Sequence, residues 1–150
     1  MTGGPAVHNC IKYYMDLATP ESGDQSPAYF RPATISGAAY YQFVLRNGTV
    51  IASVPSSDVT GLQRDLCLIQ SFTDSNGRII FIITGFTFKG TQAGALWFVK
   101  NVTANPAAYA NNVYVIGWND ASARWTAGNL TVTGNNDGFV DFVKIQNVYP

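Results

Sequence analysis

Arg78-Ile79-Ile80-Phe81-Ile82-Ile83-Thr84-Gly85-Phe86-Thr87-Phe88 contains an apolar run of five residues, 79–83, that no other run of the chain exceeds. At strand spacing, Ile79, Phe81 and Ile83 fall on one face and Ile80, Ile82, Phe86 and Phe88 on the other. Both sets are apolar. A strand of a two-layer sandwich has one wet face, so the second dry face needs a cover. The N-terminal arm, a loop or another subunit would provide it. Ile80, Ile82, Phe86 and Phe88 form the candidate assembly face.

Outward from this stretch the chain reads as a series of hairpins. Residues 66–73, the turn Asp74-Ser75-Asn76-Gly77 and residues 78–88 form one. Upstream, Asn47-Gly48 joins residues 40–46 to residues 49–54, with the composition of a type I′ turn. Downstream, Asn135-Asn136-Asp137-Gly138 joins residues 130–133 to residues 139–148. Residues 95–102 and 113–118 add strands between them. In the last strand the apolar alternation changes phase, as a β-bulge would cause. Helix signals are short: residues 105–111, with Pro106 at the first helical position, and a turn started by Ser57-Asp58. These signals predict an all-β fold: an antiparallel, jelly-roll-like β-sandwich of about eight or nine strands with one or two short helical turns.

Two regions are expected. Residues 1–37 read as an N-terminal strand, or short helix, followed by an extended proline-containing arm. Residues 38–150 read as the sandwich. In the arm, Pro20, Pro27 and Pro32 favour extended backbone, and Tyr29 and Phe30 need burial that a neighbouring subunit would supply.

The 150 residues suit a single domain. Charged residues are 12% of the chain, about half the usual share. The surface is therefore built largely from neutral polar groups, which suits burial against protein or contact with sugar. Nine basic and nine acidic residues cancel and are scattered. No basic patch marks nucleic acid as the main partner. No apolar stretch reaches the length of a membrane span, and the first residues lack the pattern of a signal peptide.

Catalytic signals are sparse. His8 is the sole histidine, and His8-Asn9-Cys10 lacks the further ligands of a structural metal site. Asp120 and Asp141 are carboxylates that nothing singles out as a catalytic pair. There is no glycine-rich phosphate loop or nucleophile elbow, so no metal, cofactor or catalytic residue is expected. Cys10 and Cys67 are either a disulfide that staples the N-terminal segment to the middle of the fold or two free thiols, the second being favoured in a reducing compartment. Asn47, Asn101 and Asn129 each begin an Asn-x-Thr glycosylation site. Trp118, Asn119, Asp120 and Trp125 have the residue types of a sugar site, with aromatic faces for stacking and polar groups for hydroxyls.

The leading expectation is a non-catalytic structural subunit of a homo-oligomeric assembly, a viral shell or spike or an extracellular filament. Its subunits would be joined by β-edge and arm contacts, in a virion or at an extracellular surface. The alternative is a carbohydrate-binding, lectin-like sandwich whose partners are glycans.

Overall fold

The computed structural model describes residues 9–15, 26–109, 113–119 and 141–148. Within them lie α1 (Asn9–Met15), β1 (Ala28–Ile35), β2 (Ala38–Leu45), β3 (Val50–Pro55), α2 (Ser56–Thr60), β4 (Arg64–Thr73), β5 (Ile79–Gly85), α3 (Phe88–Trp97), β6 (Val113–Asn119) and β7 (Asp141–Val148). α3 continues as a π-helical turn, Phe98–Val102, and a 3-10 turn follows at Pro106–Tyr109. The strands make two antiparallel sheets, ordered β1-β2-β3 and β5-β4-β6-β7.

This arrangement overturns the expected jelly-roll sandwich. The described residues contain seven strands, not eight or nine, and a ten-residue helix. Residues 88 and 95–102, expected in strands, belong to α3 and its π-helical turn. The buried residues of α3 explain why. Gly90, Ala93, Gly94 and Trp97 are spaced i, i+3, i+4, i+7 and lie on one face of the helix. That face is defined by small size more than by hydrophobicity, so aromatic neighbours such as Phe86, Phe88 and Phe98 dominate a composition-based reading.

The β5-β4-β6-β7 sheet is covered on both faces. One face packs against the three-stranded sheet and α1. Leu68, Ile82, Val113 and Val115 meet Phe43, Val44, Ile51, Ile11 and Met15 there. On the other face, Cys67, Ile69, Tyr114 and Ile116 lie under Trp97 and Val102, with Ile83 and Phe98 alongside. Sheet, sheet and helix therefore make three layers. Burial on both faces accounts for the uninterrupted apolar runs 66–69 in β4 and 113–116 in β6.

Turn chemistry sets the local registers. Ser36 and Gly37 both have positive φ, 50° and 81°, and join Ile35 to its partner Ala38. This two-residue connection has the type I′ form expected instead at Asn47-Gly48. At Asn47-Gly48 only Gly48 has positive φ, 90°. Leu45 N donates to Thr49 O and Gly48 N to Leu45 O, so the loop has three residues and ends on a glycine bulge. The β4–β5 turn repeats this form. Asp74 N donates to Arg78 O, Gly77 N donates to Asp74 O, and Gly77 has φ 75°. A bulge also interrupts β7: Gly117 pairs with Lys144 but Trp118 with Phe142, which leaves residue 143 as the extra one.

Residues 28–35 of the expected arm form β1, paired along its length with β2. Pro32 is accommodated because β1 is an edge strand. Tyr29 is buried beneath the Arg46 guanidinium, and Phe30 packs on Tyr41 and Phe86 of the same chain. Pro27 is half-buried and Pro32 exposed, and Pro20 lies outside the described residues. No helix among the described residues is long and apolar enough to cross a membrane.

Candidate functional site: an open apolar edge beside a helix

The structure disperses the expected assembly face. Ile82 is fully buried between the two sheets, and Ile80 and Phe86 pack against the same core. Phe86 stacks on Phe43 with ring centroids 4.5 Å apart. Only Phe88, 59% exposed at the start of α3, remains outside. The cover for the strand's second face comes partly from the same chain, since α3 lies over Ile83 and Phe98 packs edge-on against Phe81.

The expected sugar residues are not presented together. Trp118 is 2% exposed, packed with Ala93 under α3, and the Lys89 ammonium sits 5.4 Å from its ring centroid. Neither ring face is open for stacking on a sugar. Its indole Nε1 has no hydrogen-bond partner among the described residues. Asn119 ends β6, while Asp120 and Trp125 lie outside the described residues. Of the glycosylation sites, Asn47 is exposed in its turn and Asn101 is half-buried, its Nδ2 donating to Trp97 O at 2.9 Å. Asn129 and His8 lie outside the described residues, and Asp141 begins β7. Cys10 is exposed, Cys67 is buried, and both are free thiols. Burial pushes the Cys67 thiol well up, and the Asp65 carboxylate adds to the effect. Among the described residues no cluster of His, Cys, Asp or Glu is placed to hold a metal.

The polar group that sequence reading missed is Asp65, 1% exposed. Its Oδ2 accepts from Thr87 N at 2.8 Å and Thr87 Oγ1 at 2.6 Å. Its Oδ1 accepts from Leu66 N at 2.6 Å and Phe86 N at 3.3 Å. Thr87 is the N-cap of α3, so one carboxylate ties β4 to the turn that launches the helix. Gly90 allows this closeness: a Cβ there would stand 2.6 Å from Asp65 Cγ. Lys89, also buried, donates to Leu62 O at 3.4 Å and joins the same helix start to the turn after α2. Asp65 is thus spent on donors of its own fold, and its chemistry is that of a latch.

Burial pushes the Asp65 carboxyl up to about 6, against the pull of the Thr87, Leu66 and Phe86 donors. The ionised form is therefore disfavoured in the folded state. Folding gains as pH falls from about 7 towards 4, because the native chain then holds a proton that the unfolded chain has released. The span corresponds to about 3 kcal/mol. Asp74 works oppositely and at lower pH. Hydrogen bonding to Arg78 holds its carboxyl below the ordinary value, so its contribution is lost as the solution turns more acidic. Asp65→Asn should flatten the stability slope between about pH 4 and pH 7, as read by urea unfolding. Equal slopes in both proteins would show that Asp65 titrates normally.

Among the described residues, the sheet edge left open is β5. It is the terminal strand of its sheet among the described residues. Ile79 is 75% and Phe81 43% exposed on the helix side. Val99, 64% exposed, follows Phe98 in the adjoining π-helical turn. Residues 79–85 carry no charge, and the nearest, Arg78, is bound to Asp74. Monomeric proteins commonly blunt sheet edges with lysine, proline or a bulge, and this edge has none of these. Sequence reading found the spare apolar surface in this strand but assigned it to the wrong face. The core face is settled by which sheet lies opposite, and strand alternation does not carry that information.

No family model, curated protein or solved structure matches the chain, so a functional reading rests on this geometry.

Proposed function

We propose that this chain is a non-catalytic structural subunit of a homo-oligomeric assembly, in a virion shell or spike or an extracellular filament, and that its subunits meet along the β5 edge. The observation that carries the reading is the uncharged, unblunted edge on which Ile79 and Phe81 are exposed. An added strand satisfies the backbone of such an edge while burying its apolar side chains. The low charge of the whole chain lowers the desolvation cost of burying more surface. The interface moves from the arm to β5, because residues 28–35 pair within their own chain. Light scattering on the full chain in the micromolar range tests the reading. We expect a mass that is a multiple of 16.2 kDa and that falls on dilution. A single-chain mass throughout that range would refute it.

A further inference from the structure

The geometry points to one pairing: two copies of β5 join antiparallel about a two-fold axis at Phe81, making a continuous sheet of eight strands, four from each copy. This rests on the self-association reading above and adds its register and symmetry.

The strand sequence is the first support. Ile79-Ile80-Phe81-Ile82-Ile83 reads the same in both directions. A two-fold axis at Phe81 sets residue 79 of one copy opposite residue 83 of the other, 80 opposite 82, and 81 opposite 81. Each isoleucine then meets an isoleucine, with no charge on either side. This self-complementarity selects a second copy of the chain as the occupant.

The phase of the backbone is the second support. Asp74 N donates to Arg78 O, so residues 74 and 78 form a hydrogen-bonded pair. The β4–β5 register stays constant from Thr73↔Ile79 to Cys67↔Gly85. Residues 80, 82 and 84 therefore bond to β4, and the backbone groups of Ile79 and Ile83 point away from it. A two-fold axis at Phe81 makes Ile79 and Ile83 of opposite copies a hydrogen-bonding pair. An axis midway between two adjacent residues would oppose outward-facing groups to inward-facing ones. Axes at Ile80 or Ile82 keep the phase but set Arg78 opposite Ile82 or Thr84 opposite Ile80, so the palindrome selects Phe81 among the allowed axes.

The open stretch also has a defined end. Gly85 N points outward by the same alternation, and Thr91 Oγ1 accepts its hydrogen bond at 3.0 Å. The ladder available to a second copy thus stops after Ile83, where the palindrome ends. An isologous contact of this kind closes on itself as a pair. A shell or filament would be built from such pairs through a separate surface.

Cysteine cross-linking in a Cys10→Ser background tests the register, with differently sized tags on the two copies. We expect Phe81→Cys to give a covalent dimer on mild oxidation. Ile79→Cys alone should not, since its two copies would lie about 14 Å apart along the ladder. Ile79→Cys mixed with Ile83→Cys should give the mixed dimer, and this arm keeps Phe81 and its contact with Phe98. Light scattering on the unmodified chain runs in parallel. A monomeric mass overturns both the association and the register. A dimeric mass with Ile79→Cys linking to itself, or with no mixed dimer, overturns the register and leaves the association standing. Unbounded fibres also overturn it, because a two-fold contact closes.

Discussion

Gly94→Ala is expected to lower the melting temperature by about 10 °C, although alanine is the better helix former. At an exposed helical position the change would stabilise by about 1 kcal/mol. Here Gly94 lies directly over β4 and β5. A Cβ would collide with Cys67 Sγ and stand 3.1 Å from Cys67 Cβ and 3.2 Å from Ile83 Cγ2. Cys67 is fully buried and cannot swing aside. The helix must lift, and lifting it loosens the layer where Trp97 and Val102 cover Ile69 and Ile116. Overpacking of this kind costs about 3 kcal/mol, which for a chain this size is roughly 10 °C. Thermal unfolding followed by circular dichroism provides the measure. Cys67→Ala should recover part of the loss when combined with Gly94→Ala, because it removes the atom struck first; the double-mutant cycle isolates that coupling. Gln92→Ala, on the opposite side of α3, is the control. If Gly94→Ala raised the melting temperature, α3 would not be docked as described.

Ile79→Lys is expected to weaken self-association roughly 100-fold while leaving the fold intact. Ile79 is three-quarters exposed, so lysine costs the monomer little, within about 0.5 kcal/mol. In an assembly built on β5 the ammonium would be forced against an isoleucine of the second copy. Its desolvation has no compensating partner there, since residues 79–85 carry no acid. Sedimentation across a dilution series gives the association constant, and urea unfolding checks that stability is unchanged. Val50→Lys, on β3 of the other sheet, is the matched control, as Val50 is also exposed. An equal loss in both variants, or no loss in Ile79→Lys, would remove β5 from the interface.

Local chemistry made part of this protein legible in its sequence. The turns at Asn47-Gly48 and Asp74–Gly77 need glycine at positive φ, and Pro106 marks the 3-10 turn; each depends on residues a few positions apart. The strands flanking those turns and the bulge in β7 follow from the same short-range signals. The tertiary structure decided the rest. Whether Ile80 or Ile79 faced the core depended on which sheet lay opposite β5. Whether Trp118 was a binding platform or a core residue depended on α3 lying above it. Whether residues 28–35 were an arm or a strand depended on β2 being close enough to pair. α3 itself shows the physical reason most plainly. Its buried face is Gly90, Ala93, Gly94 and Trp97, and the two glycines are required by Asp65 and Cys67, more than twenty residues away on β4. Hydrophobic periodicity records how much apolar surface a segment buries. It does not record how closely another backbone must approach, and that closeness made this segment the helix that completes the third layer.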